Sequence, residues 1–168
     1  MIFRNLGGGK FEELLDLAGP AMNELHSSRG AAFGDFDNDG DMDILIMNMN
    51  EPPSLFRNDV SGANRWLKVL LVGVESNRSA IGAQVVASYG ERRQAQAVLA
   101  QSSYLSANDR RLHFGLGAEQ SANLEIRWPS GKQEQVADVA ANQLVVIREG
   151  SGIIRRESFG PRSSEPKR

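Results

Sequence analysis

Apolar and polar residues alternate along much of this chain with the two-residue period of a β-strand that buries one face. The clearest case is Leu124-Glu125-Ile126-Arg127-Trp128, which sets 124, 126 and 128 on one side. Strand-like runs follow one another from Trp66: WLKVLLVGV, AIGAQVVASY, RRQAQAVLAQ, RLHFGL, NLEIRWP, KQEQVAD and QLVVIRE. Turn-forming clusters separate them, among them Glu75-Ser76-Asn77-Arg78, Tyr89-Gly90-Glu91, Ala107-Asn108-Asp109 and Pro129-Ser130-Gly131. The WPSGK stretch predicts a tight hairpin, because Pro129 presets φ and Gly131 admits a positive φ. About seven short strands at this spacing predict an antiparallel sandwich or barrel.

The first 60 residues have a different texture. IFRN at 2–5 recurs as LFRN at 55–58, and each copy runs into a polar stretch that contains glycine. The spacing lies in the range of propeller blades and other array units. Between the copies come a short segment FEELLDL, a loop AGPAMNELHSSRG, a strand-like AAFGDF, an acidic loop and a strand DILIMNM, before Pro52 and Pro53 break the pattern. One blade cannot cover its own apolar faces, so either the chain is a C-terminal fragment in which this part ends a longer array, the favoured expectation, or the unit packs against the rest of the chain. The predicted organisation is all-β: a partial β-propeller blade at 1–60, then an antiparallel β-sandwich-like domain at 64–149. Residues 150–168, polar, basic and rich in Pro and Ser, are expected to form a disordered tail.

Composition narrows the function classes. The 168 residues carry a net charge of −2, which gives no electrostatic case for nucleic acid or anionic lipid. No apolar run approaches the ~20 residues of a spanning helix, so no membrane insertion is expected. Without cysteine there are no disulfides, thiolate metal sites or cysteine nucleophiles. The first residues, MIFRNLGGGK, show no signal-peptide pattern.

The acidic loop stands out against this background. In FGDFDNDGDMDILI, five aspartates fall within nine positions: Asp35, Asp37, Asp39, Asp41 and Asp43. Like charges ~4 Å apart repel by about 1 kcal/mol even in water, so such crowding calls for a cation. Asp35, Asp37, Asp39 and Asp43 stand at positions 1, 3, 5 and 9 of a loop. Gly40, at position 6, permits the sharp turn, and Asp41, at position 7, offers its backbone carbonyl. That order fits Ca2+, which takes roughly 6–8 oxygens in flexible geometry. Magnesium demands a tighter octahedron, and zinc or copper would want His or Cys. The twelfth position is Ile46 rather than the bidentate Glu of an EF-hand, and the flanks read as strands, so a strand–loop–strand calcium site is expected.

Other candidates are weaker. His26 beside Ser27 and Ser28 lacks the buried third member that a nucleophile–base pair needs. His113 alternates with Leu112 and Phe114 and reads as a surface or interface residue. Trp66 and Trp128 read as core anchors more readily than as a sugar-stacking platform. In SSYLSANDRR, turn chemistry accounts for Asn108 and Asp109 without a ligand, with Tyr104 half buried.

FGDFDNDGDMDILI, with its aromatic-glycine pair Phe33-Gly34, resembles the FG-GAP or VCBS repeat, the calcium-loop blade of integrin-type propellers. IFRNLGGGKFEEL and LFRND resemble the strand that joins such blades. NRWLKVLLVGVESNRSAIGAQV, QSSYLSANDRRLHFGLG and IRWPSGK resemble the ASPIC/UnbV domain of the cartilage acidic protein family. The resemblance implies an extracellular or cell-envelope β-protein with upstream propeller blades and no established catalysis. The function expected is a non-enzymatic, calcium-binding adhesion, scaffold or interaction module with a protein or glycan partner. The alternative is a glycan-binding or enzyme-associated accessory module.

Overall fold

A computed structural model describes residues 2–14, 19–59 and 62–159. The protein is all-β. Strands β1 (Phe3–Gly7) and β2 (Lys10–Glu13) form an antiparallel ribbon around the turn at Gly8-Gly9. A short 3-10 turn, Pro20–Asn23, follows. Strands β3 (Ser28–Gly34), β4 (Asp43–Asn48) and β5 (Ser54–Phe56) make a three-stranded antiparallel sheet in that order. Ala32 faces Leu45, and Leu45 faces Leu55, so these side chains share one side of the sheet. Leu45, Met47 and Leu55 remain exposed there.

The second half folds into two four-stranded sheets. One contains β7 (Gln84–Tyr89), β8 (Arg92–Ala97), β10 (Ser121–Arg127) and β11 (Gln133–Ala140), in the order β11-β10-β7-β8. The other contains β6 (Arg65–Val72), β9 (Leu112–Gly117), β12 (Gln143–Arg148) and β13 (Gly152–Ser158), in the order β13-β12-β6-β9. The two-residue period puts alternate residues of both sheets into one core. Leu67, Val69, Leu71, Phe114, Val145 and Ile147 come from one side, and Val85, Ala87, Leu124 and Ile126 from the other. Trp128, 1% exposed, closes one end of this cluster, as its place in the 124–126–128 alternation requires.

All seven strand-like runs of the second half form strands. Three features depart from the expectation. The stretch from 150 on does not begin a tail: β13 pairs antiparallel with β12. Its charged run Arg155-Arg156-Glu157 obscured a strand that lies at a sheet edge, where charged side chains suit the solvent side. The part of the expected tail from 160 to 168 lies outside the described residues. The pairing is not wholly antiparallel either, because β12 runs parallel to β6. Finally, Tyr104 is exposed rather than half buried, in a stretch whose one pairing is an isolated bridge between Ser103 and Ser106.

The same alternation that buries Leu67, Val69 and Leu71 turns Trp66 and Lys68 to the opposite face of β6. His113 sits across from Lys68 on β9. Trp66 is therefore no core anchor. It stacks on His113 and on Phe159, each with ring centroids 6.1 Å apart. This outer face is where the acidic loop of the first sheet docks.

Candidate metal centre

The loop 35–42 is closed at its base by β3 and β4, whose last ladder pair joins Gly34 to Asp43. Inside it the chain turns twice through the left-handed region, at Asn38 (φ 61°) and Gly40 (φ 100°). A short polar residue and a glycine are the types that accept this backbone. Aspartate side chains then gather the backbone amides of the turn. Asp35 Oδ1 accepts from the Asp39 amide at 3.1 Å, and Asp35 Oδ2 from the Gly40 amide at 2.8 Å. Asp37 Oδ1 accepts from the Asp39 amide at 3.3 Å, and Asp39 Oδ1 from the Asp41 amide at 2.9 Å.

Asp35, Asp37 and Asp39 each offer one carboxylate oxygen, and these oxygens lie within 4.8 Å of one another. Two ligands held ~2.4 Å from one calcium ion can be at most about that far apart, so the three oxygens fit a single ion. The donor set is oxygen throughout, which matches calcium or magnesium and not zinc or copper. Of the five expected aspartates, these three form the cluster. Asp41 and Asp43 stand outside it.

Asp43 is 2% exposed, and both of its oxygens take backbone amides, from Phe36 at 3.0 Å and Asn58 at 2.8 Å. Burial raises its pKa above the ordinary carboxylate value; those two amides oppose the shift, while Asp37 and Asp35 add to it. Its position pins the end of the loop to the segment after β5.

The sequence reading missed the cations supplied by the second domain. Lys68, almost wholly buried, forms an ion pair with Asp35 Oδ2. Its ammonium lies 5.4 Å from the Trp66 ring centre and 5.5 Å from that of Phe159. Burial lowers the Lys68 pKa, and Asp35 counteracts this. Arg111 donates to Asn38 Oδ1 at 2.6 Å and to the Asp35 carbonyl at 2.9 Å, and is itself held by Asp109 at 2.5 Å. One signal was available. A lysine in the apolar run WLKVLLV has to leave the core face, and a buried charge on the other face needs a carboxylate partner.

Hydrogen bonds to the backbone of β3 complete the junction. The Asp109 amide donates to the Phe33 carbonyl at 3.0 Å, and the Phe33 amide donates to Asn108 Oδ1 at 3.0 Å. The Ala31 amide donates to Ser106 Oγ at 3.0 Å. The SSYLSANDRR stretch therefore binds the edge of β3. The remaining candidates separate from this site. His26 pairs with Glu51 at 2.5 Å, which raises its pKa, and not with a serine hydroxyl. His113 lies on the docking face, and burial together with the Lys68 charge lowers its pKa to about 4.

A carboxylate turn between two strands, seated on a two-sheet sandwich, defines a two-part β-protein with a candidate oxygen-donor metal loop. Residues 1–46 match the FG-GAP-like repeat family, and residues 73–154 match the ASPIC and UnbV family. The chain is thus an FG-GAP-like repeat joined to an ASPIC and UnbV domain. It is similar to cartilage acidic protein 1 of mouse, with 31% identity over 154 residues, and of human, with 32% over 154. It is also similar to cartilage acidic protein 1 of Xenopus tropicalis, with 33% identity over 146 residues. These alignments cover 88%, 88% and 77% of this chain but 23%, 23% and 22% of the mouse, human and frog proteins. The chain therefore corresponds to less than a quarter of the length of these relatives.

Proposed function

We propose that this chain is a calcium-stabilised, non-catalytic β-module of an extracellular or cell-envelope protein, and that it serves adhesion or scaffolding. The observation that carries the calcium reading is the convergence of one oxygen each from Asp35, Asp37 and Asp39 within 4.8 Å. Asp35, Asp37 and Asp39 would hold the ion, and the Asp41 carbonyl fits the next place in the loop order. Bound calcium would supply positive charge that cancels carboxylate repulsion. Its binding energy would add to folding energy, because the unfolded loop holds no preformed site.

The relatives' name and the matching families support the extracellular setting. The exposed Leu45, Met47 and Leu55 form an apolar sheet face that a preceding blade would cover. A sugar platform built on Trp128 has no support, because that ring lies in the core.

Calcium at about a hundred times its Kd adds about 2.7 kcal/mol of stability. For a chain of this size that raises Tm by about 5–10 °C. The expected result is that EDTA lowers the Tm by this amount, and that Asp37→Ala and Asp39→Ala abolish the response to calcium. A parent chain whose Tm and calorimetric trace ignore calcium would refute the reading.

A further inference from the structure

Lys68 lies where the metal reading puts a divalent ion's neighbour. It forms its ion pair with Oδ2 of Asp35, the same carboxylate that contributes to the three-oxygen cluster. The lysine comes from β6 of the ASPIC and UnbV domain, and the aspartate from the FG-GAP-like loop. Its side chain is 2% exposed, so water screens it little. It cannot swing freely into solvent, because Trp66 and Phe159 flank the ammonium and the loop covers it. A second donor from the same domain, Arg111, holds Asn38 and the Asp35 carbonyl in place. A fixed positive charge thus sits against one ligand of the candidate calcium site.

We infer that Lys68 is a built-in counter-cation that competes with calcium for Asp35, and so sets the metal affinity of the loop from the neighbouring domain. This rests on the calcium reading above. In the metal-free chain the ammonium offsets part of the repulsion among the aspartates, so the loop keeps its shape. A divalent ion that joins Asp35 either displaces the ammonium or remains beside it against like-charge repulsion. Both routes weaken binding. The same ion pair makes calcium occupancy and domain docking interdependent, because Asp35 serves both.

The test is calcium titration by calorimetry of the full chain and its Lys68→Met and Lys68→Arg variants, with Tm measured in EDTA and in calcium. Methionine keeps the length of the side chain and suits the aromatic pair. Lys68→Met is expected to bind calcium at least tenfold more tightly than the parent, and to show a lower Tm in EDTA with a larger rise on adding calcium. Lys68→Arg, which retains the charge, should stay within a few-fold of the parent. Binding by the parent with no tightening in Lys68→Met would overturn the competition and leave the calcium site standing. Silence in parent and Lys68→Met alike, with both folded by circular dichroism, would overturn both readings. Should Lys68→Met fail to fold in EDTA, its recovery by calcium supports the inference, and failure to fold in either condition while Lys68→Gln folds and binds calcium no more tightly than the parent overturns it.

Discussion

Gly40 meets two separate demands. Its φ of 100° lies where a side chain is strained, and a Cβ built on it would fall 1.8 Å from Trp66 Nε1. The turn chemistry was legible in the sequence, since a glycine at the sixth place of the loop needs only local geometry. The clash with Trp66 was not, because the two residues meet only when the domains dock. Gly40→Ala is therefore expected to cost about 2–6 kcal/mol, the φ penalty of an open loop plus a similar overpacking penalty against the ring, as a lower urea midpoint. Gly40→Ala combined with Trp66→Ala should recover part of that loss if the ring is the obstacle. Among the aspartates, spacing identified the cluster-forming residues 35, 37 and 39. It did not reveal that Asp43 spends both oxygens on the amides of Phe36 and Asn58.

At the scale of elements, Glu149 ties three connections of the sandwich together. It follows β12, is 3% exposed, and accepts from the amides of Val74, Glu75 and Ser76 at 2.7, 2.9 and 2.8 Å. The hydroxyls of Ser76 and Ser130 donate to its other oxygen at 2.9 and 2.6 Å. Burial alone would raise its pKa. The hydrogen bonds from Ser130, Ser76 and Val74 outweigh it and lower the value from 4.5 to about 2. A carboxylate with a depressed folded pKa stabilises the fold above its unfolded pKa, and that stability is lost as pH falls through the folded value. Stability should thus decline from about pH 5 down to pH 2, and Glu149→Gln should flatten that part of the urea-midpoint profile while it lowers the midpoint at pH 7. Trp128 makes a simpler case: as the 1% exposed end of an alternating strand, its replacement by Ala should cost about 3–5 kcal/mol in urea unfolding. The sequence showed both the WPSGK hairpin and the core face of β10. It concealed β13, because charged residues at an edge strand resemble those of a solvated tail.

Across the whole molecule, the docking of the blade on the sandwich is the arrangement on which loop and site depend. Arg111 bridges Asn38 and the Asp35 carbonyl, and the Asn108 side chain and the Asp109 amide hydrogen-bond to Phe33 at the edge of β3. Arg111→Ala is expected to leave the sandwich folded but to let the loop and β3–β4 open at lower free energy. Hydrogen exchange should accelerate at residues 28–48 while β10 and β12 stay protected. Equal acceleration across both parts would mean that the junction carries no separate role. The sequence by itself determined seven of the eight strands of the sandwich, the position of the acidic turn and the oxygen-donor chemistry of its aspartates. Those follow from period-two alternation, from the turn preferences of Gly, Pro and Asn, and from charge repulsion over a few residues, all of which act between near neighbours in the chain. Only the tertiary structure decided that β12 lies parallel to β6 and that Lys68 and Arg111 meet Asp35 and Asn38. These pairings join residues about 30 to 80 positions apart, and ion pairs and ring contacts at that separation arise from how the sheets stack, which no local pattern encodes.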